Sequence, residues 1–416
     1  MKQGYLIGGF RQFVIVLLFL IAAGRLGAQT LTPAEEAEQT LALERSEAKS
    51  RLSIYGWVET SFTGNFDGAD DNQNFGRIFD DRSNELVMNQ AVVTAERELD
   101  PKAGLDWGFK LQLLFGTDAR YIHSFGTRYH NAGTGLYQAD IPEAYLSLHL
   151  PLLTADGVDV KLGKFVSLEG AESVDPRANP FFSHTYIFNF GVPTSHTGAL
   201  FTFHTNAWLD LIAGVTRGVN TDIHDNNDSP AFHGGVGLKF NDEKFVVLAS
   251  THIGPESDES DELRYINDIT MTWKMSDKFT SITDINYVRD SEADADAYGV
   301  AQYVTYAIND TISVGVRGEV WRDDKGAYVA QYANPSDPSR SFSGASTVDP
   351  RTVDGARTTY TALTIGLNIK LAMPKPLEML IIRPELRVDR ALHDRPFNDS
   401  RSDRMFTAAI DAIVTF

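Results

Sequence analysis

From Arg51 to the carboxy-terminus, apolar and polar residues alternate with a period of two, the repeat of strands with one buried face. Near the end, Phe406, Ala408, Ile410, Ala412, Val414 and Phe416 fall on one face. Met405, Thr407, Ala409, Asp411, Ile413 and Thr415 fall on the other, which is mixed. Sixteen such segments are predicted: 51–66, 85–99, 104–119, 140–152, 157–170, 196–206, 207–220, 231–241, 245–255, 263–275, 279–290, 296–309, 311–323, 358–371, 380–392 and 403–416. Each is long enough to cross a bilayer, since a tilted strand needs about 9–11 residues.

The connections sort by length. Short ones are Asp100–Ala103, Leu153–Asp156, the Asn206/Ala207 junction, Asp242–Lys244, Ser276–Lys278, Asp310 and Ala372–Met379. Between them fall Asp67–Asn84, Arg120–Ala139, Ala171–Ser195, Thr221–Pro230, Glu256–Glu262, Ser291–Ala295, Asp324–Arg357 and His393–Ser402, with Ser291–Ala295 the weakest contrast. Short inner turns and long outer loops are the rule for outer-membrane barrels. An even strand count puts both ends of the barrel segment on the inner, periplasmic side.

Charges inside the segments say which face is wet. Arg383, Glu385, Arg387 and Asp389 oppose Ile382, Pro384, Leu386 and Val388. Arg317 and Glu319 oppose Val314, Val316 and Val320, and Lys110, Gln112 and Asp118 oppose Trp107, Phe109, Leu111, Leu113 and Phe115. Thr364, Asn368 and Lys370 oppose Leu363, Ile365, Leu367 and Ile369. A Lys or Arg facing lipid at the midplane costs about 2–4 kcal/mol. Several would exceed a typical folding free energy of roughly 5–15 kcal/mol. The apolar face therefore meets lipid and the charged face meets water. The reading is an all-β, transmembrane, antiparallel up-and-down β-barrel of about sixteen strands, wide enough for an aqueous channel. Lys110, Arg317, Glu319, Lys370, Arg383, Glu385, Arg387 and Asp389 are the expected pore lining. Tyr55, Trp57, Trp107, Trp208, Trp273, Tyr287, Trp321, Tyr360 and Phe406, near strand ends, are the expected interfacial girdle.

Residues 1–28 differ. Lys2 and Arg11 flank the start, Phe13–Ala23 is apolar, and Gly27 and Ala28 suit cleavage before Gln29, so a secretory signal peptide is expected. Residues 29–50 are rich in Ala, Glu and Leu behind a Thr32, Pro33 and Glu35 capping signal, which predicts a short periplasmic helix. The domain reading is thus 1–28 signal, 29–50 leader and 51–416 barrel. Of the 416 residues 43% are apolar and 22% charged, and no later apolar run is long enough for a helical span. The formal charge of −19 falls to about −22 without Lys2, Arg11 and Arg25, which argues against nucleic acid as a partner. With no cysteine, disulfides and thiol chemistry are excluded.

Several stretches resemble the β-barrel porin-2, OmpL-like family of bacterial outer-membrane proteins: YGWVETSFTGNF (55–66), RIFDDRSNELVMNQAVVTAERE (77–98), GFKLQLLFGTDA (108–119), EAYLSLHLP with VKLGKFVSLEGAE (143–172), HTYIFNFGVPTSHTGA (184–199) and GVNTDIHDNN (218–227). The similarity covers about residues 54–240. The chain's aromatic end, Phe416, also matches the way such barrels finish, the last strand closing against the first. The resemblance implies a Gram-negative outer-membrane pore with no transferable catalytic residues and no cofactor. Its surroundings would be outer-membrane lipid and lipopolysaccharide, its cargo small hydrophilic solutes or ions, and a homotrimer is compatible with it. A substrate-selective channel and a non-conducting structural or adhesive barrel are the alternatives.

In sixteen-stranded porins the third outer loop commonly folds inward. Here 171–195 carries Phe181, Phe182, Tyr186, Ile187, Phe188 and Phe190, too apolar for bulk water. Glu169, Glu172, Asp175 and Arg177 are the expected constriction, facing the passage. The acidic runs at 67–71, 225–228, 256–262 and 290–296 read as solvated loops, with divalent-ion bridging to lipopolysaccharide phosphates as the functional reading. His184, His196, His204, His224, His233 and His252 show no metal-ligand spacing and read as solvated, so no metal is expected. Ser183–His184 and Ser195–His196 are strand neighbours that point to opposite faces, which disfavours an enzyme.

Overall fold

The computed structural model describes residues 51–416 apart from 69, 71, 101, 103, 125–134, 226, 258–259 and 330–356. The signal peptide expected at 1–28 and the helix expected at 29–50 fall outside the described residues.

Sixteen strands form one closed antiparallel barrel. They are β1 (Leu52–Asn65), β2 (Leu86–Arg97), β3 (Asp106–Gly116), β4 (Gln138–Leu150), β5 (Val158–Val166), β6 (Ser195–Asn206), β7 (Leu209–Thr216), β8 (Ala231–Phe240), β9 (Phe245–Pro255), β10 (Leu263–Lys274), β11 (Phe279–Asp290), β12 (Ala295–Ala307), β13 (Ile312–Asp323), β14 (Thr359–Ala372), β15 (Met379–Ala391) and β16 (Arg404–Thr415). Each pairs with its sequence neighbours, and β1 pairs with β16 to close the ring. The expected boundaries are met within four residues. The largest misses are β5 and β7, which stop four residues early; beyond β7, Gly218 takes a positive φ that turns the chain out of the ladder. Long and short connections alternate except at 291–294, which is as short as the turns facing it.

The closing seam is tight. Gly56 N–H donates to Phe416 O at 2.9 Å, and Phe416 N–H donates back to Gly56 O at 3.1 Å. A Cβ at Gly56 would stand 2.7 Å from the Phe416 ring and 2.1 Å from Val92 O, so the seam requires glycine.

The strand period decides the faces. Ile54, Leu86, Leu146, Leu363 and Leu386 are exposed on the outside, while Arg317, Arg383 and Arg387 are buried on the inside. This is the inverse of a soluble barrel, and it is stable only with lipid around it. Trp107, Trp208, Trp273 and Tyr306 ring the end with the short turns, and Tyr287, Tyr298 and Phe406 the end with the long loops. Four expected girdle members turn inward instead. Tyr55 donates to Glu96 at 2.6 Å, Trp57 donates to Gln90 at 3.1 Å, Tyr360 stacks on Tyr186 at 4.9 Å, and Trp321 is fully buried. Their parity along the strand places them on the lumen face, and parity outranks position near a strand end.

Candidate functional site

The connection from β5 to β6, residues 167–194, is hydrogen-bonded to strands on the far side of the barrel. A loop buried in this way needs a partner for every backbone N–H and C=O. The lumen-facing charges supply them. Arginines take the carbonyls. Arg383 Nη1 donates to the oxygens of Pro176, Asn179 and Phe181 at 2.7, 2.9 and 3.1 Å. Arg317 Nη1 donates to Ser183 O at 2.5 Å, and Arg387 donates to His184 O.

Carboxylates take the amides. Asp268 accepts from Gly170 N–H and Asp284 from Ala171 N–H, both at 3.0 Å. Glu385 accepts from Phe182 N–H at 3.0 Å, and Glu319 accepts from Tyr186 N–H at 2.8 Å. The loop's own Glu172 accepts from Thr185 N–H at 2.9 Å and from Arg317 at 2.7 Å. The arginines are paired as well, Arg383 with Asp411 at 2.6 Å and Arg387 with Asp389 at 2.7 Å. Arg77, from the first long connection, reaches Asp80 and Asp389. Each of these buried guanidiniums thus has a carboxylate beside it, the condition under which buried ions are tolerated.

Aromatic packing completes the contact. Tyr186, Ile187, Phe188 and Phe190 are buried in a π turn over Ile187–Gly191. A Cβ at Gly191 would stand 2.8 Å from the Trp321 ring, so glycine lets the loop backbone lie against β13. Phe181 sits under the Arg317 guanidinium at 5.1 Å.

The expected site residues therefore divide. Arg317, Glu319, Arg383, Glu385, Arg387 and Asp389 all face inward, but at 5% exposure or less they hold the loop rather than border open water. Glu169 and Glu172 are buried as well and face the wall, not a passage. Burial raises the Glu172 carboxyl, and Arg317 foremost, with His184 and Thr185, outweighs that and holds it at about 2. Asp175 and Arg177 remain partly exposed and paired at 2.7 Å, with Arg177 4.0 Å over the Trp57 ring. Lys370 lies exposed near the short-turn end of β14. Lys110 pairs with Glu143 at 2.6 Å.

Lys110 belongs to the wetter side. His149 with Asp159 and Lys239 with Asp210 continue a row of polar pairs along β4–β8, at 2.6 and 2.9 Å. Part of each of these pairs keeps solvent contact. A cavity of about 240 Å³ opens beside the root of the loop, bordered by Ser167, Glu169, Glu172, Phe188 and Thr194.

Sequence reading missed Asp268, Asp284, Glu59 and Asp411 as anchors, although each lies on a lumen-parity position. It also separated histidines that the fold joins. His196, His233 and His252 are buried together, with one ring nitrogen of each within 4.8 Å of the others. The expectation of solvated histidines is corrected for these three and for His184, buried against Glu172 and Phe188, and that of no convergence for these three. The usable signal was hairpin symmetry, because β8 and β9 fold about Asn241–Lys244 and so place His233 opposite His252.

Solved structures share the architecture. The outer-membrane channel DcaP of Acinetobacter baumannii aligns with TM-score 0.53 at 14% identity, covering 88% of this chain and 97% of its own. The anion-selective porin of Comamonas acidovorans aligns with TM-score 0.56 at 8% identity, covering 88% and 99%. The trimer form of Vibrio cholerae OmpT aligns with TM-score 0.51 at 11% identity, again covering 88% and 99%. These likenesses concern the fold, and no curated protein matches the sequence significantly. A family model does match, across residues 51–416, which takes in every strand of the barrel and the loop fastened within it. The chain is a member of that family, described as "Putative beta-barrel porin-2, OmpL-like", and is an outer-membrane channel.

Proposed function

We propose that the channel passes small hydrophilic solutes or ions by passive diffusion. The observation that carries this reading is the asymmetry of the lumen. The 167–194 loop is fastened to the β10–β1 side, while the β2–β8 side keeps solvated, mixed-sign pairs such as Lys110–Glu143. Water and solute would move between Asp175 and Arg177 on the loop and the Lys110 side of the wall. The mixture of signs favours modest ion preference. Catalysis has little support: Ser183 donates its backbone N–H to Glu385 and its carbonyl is held by Arg317, the pattern of a fixed anchor.

The membrane is the bacterial outer membrane, reached by export with a cleaved signal at 1–28. A homotrimer is the assembly we favour, by analogy with the trimer form of the structurally similar OmpT. The extent of loop packing favours a narrow, selective opening over a wide one.

The test is planar-bilayer recording of the refolded chain. Discrete steps that scale with salt concentration are expected. A folded, inserted barrel that never conducts would favour an adhesive or structural role.

A further inference from the structure

Three strands of the wall bring their histidines to one point at the root of the inward loop. His196 lies on β6, His233 on β8 and His252 on β9, all with essentially no solvent exposure. The ring centroids of His196 and His233 are 4.1 Å apart, and those of His196 and His252 are 4.8 Å apart. Packing alone does not account for such a group. The polar atoms here are poorly satisfied: Nδ1 of His252 has no hydrogen-bond partner, and Nδ1 of His233 meets Oε1 of Glu169 only at 3.5 Å, without a well-formed hydrogen bond. Buried polar atoms left unsatisfied in one place are costly unless something fills it.

The outer bonds of these rings point the same way. His252 Nε2 donates to Glu256 Oε1 at 2.9 Å, which leaves Nδ1 with its lone pair turned inward. His196 Nδ1 donates to Gly218 O at 3.0 Å, since a carbonyl can only accept, and this leaves Nε2 as the ligand atom. A carboxylate on one ring and a backbone carbonyl on another are the supports that orient metal-binding imidazoles.

We propose that His196, His233, His252 and Glu169 form a site for one divalent transition-metal ion of the zinc type. Imidazole and carboxylate donors suit Zn²⁺, and in the laboratory Co²⁺, better than Ca²⁺ or Mg²⁺. Three atoms no more than 4.8 Å apart leave an ion placed between them at ~2.8 Å or less from each, so the rings need close in by no more than ~0.7 Å to reach an ordinary Zn–N distance. Glu169, the proposed carboxylate ligand, also borders the 240 Å³ cavity at the root of the loop. On binding, Ser167 Oγ gives up its 3.2 Å contact with His196 Nε2. The ion's work is mechanical. It ties Glu169, at the start of the inward loop, to three strands of the wall. This does not depend on which solute the channel passes.

The untagged chain, refolded in detergent and stripped with chelator, is titrated with Co²⁺ alone and followed by visible absorption, then by competition with Zn²⁺. One equivalent with the intense bands of four-coordinate cobalt is expected. X-ray absorption of the Zn²⁺ form should show imidazole backscattering from three rings. His233→Ala should weaken binding at least tenfold, and Glu256→Gln roughly 10–100-fold through the support it removes. The exposed His224→Ala serves as control and should change nothing. Oxygen-only coordination of the wild-type chain, absence of stoichiometric Co²⁺ binding, or equal binding in folded His233→Ala would overturn the proposal. The wild-type spectra decide the matter even if the alanine variant fails to fold.

Discussion

Arg317 Nη1 lies 2.7 Å from Glu172 Oε1, and both side chains are sealed from solvent. One belongs to the barrel wall and the other to the loop inside it, so the pair is a lock between the two. Removing one member of a buried pair leaves the other uncompensated, at a cost of about 3–5 kcal/mol. Arg317→Met should therefore loosen the loop without opening the barrel. A cysteine at Asn189, whose side chain makes no hydrogen bond, gives the readout. Its reaction with a small thiol reagent should speed up roughly a hundredfold or more in the Arg317→Met background. Equal rates would show that the aromatic packing alone holds the loop.

The same lock has a pH dependence. The Glu172 carboxyl is held at about 2 in the folded chain. An unfolded glutamate titrates near 4.3, as a rough reference. A lowered folded value means that the stabilisation is complete above about 4.3 and is lost as the pH falls toward about 2. Loop opening, followed by the Asn189→Cys reaction or by current noise, should increase across that window in the wild type. The component should be missing in Glu172→Gln, which is loosened already at neutral pH. An acid response of identical shape in both would assign it to other carboxylates.

The topology is open to direct test. Ser257 lies in the β9–β10 connection and Ser276 in the short β10–β11 turn, at opposite ends of β10. A cysteine at Ser257 should react with an impermeant reagent on whole cells, and one at Ser276 only after the membrane is opened. Labelling of Ser276 in intact cells would invert the barrel.

The Gly56 seam gives the fourth expectation. Gly56→Val puts its Cβ into Phe416 and into Val92 O, where backbone cannot yield. The variant should lose the compact, heat-modifiable band of a closed barrel on gels. Gly64→Ala, with 3.6 Å of room, should keep it.

The barrel was legible because lipid and water impose a two-residue code on every strand. Ile382 and Arg383 could be assigned to opposite faces with no knowledge of their neighbours. What Arg383 does there was not legible. Its partners are the carbonyls of Pro176, Asn179 and Phe181, some two hundred residues away, and a backbone atom leaves no mark in a sequence. The aromatic run of 181–190 said that this loop wants shelter, but not that the wall's charges would serve its amides. Glu172 was misplaced for that reason: a charge in a loop was assigned to water when a buried arginine stood opposite. The histidines failed differently, because their meeting depends on the registers of three strands at once.

Removing Arg177–Phe190 is the sharpest test of what the wall charges do. Deletion takes away the carbonyls and amides that they hold, and opens the lumen along β10–β1. Conductance should rise. The sign of the selectivity follows from what is uncovered. Arg317 and Arg387 lose their carbonyl acceptors and Arg383 loses two of its three, while Glu59, Asp268, Asp284, Glu319, Glu385, Asp389 and Asp411 remain on the same walls. Carboxylates outnumber guanidiniums, and the deletion also removes Arg177. The widened pore should therefore prefer cations, read as a shifted reversal potential in a salt gradient. The single substitutions behave otherwise. Asp175→Asn, on the wet face, should move the intact pore toward anions by unpairing Arg177, whereas Glu172→Gln should act mainly through loop motion. A deletion variant that folds with unchanged conductance would mean that solute never passes beside this loop.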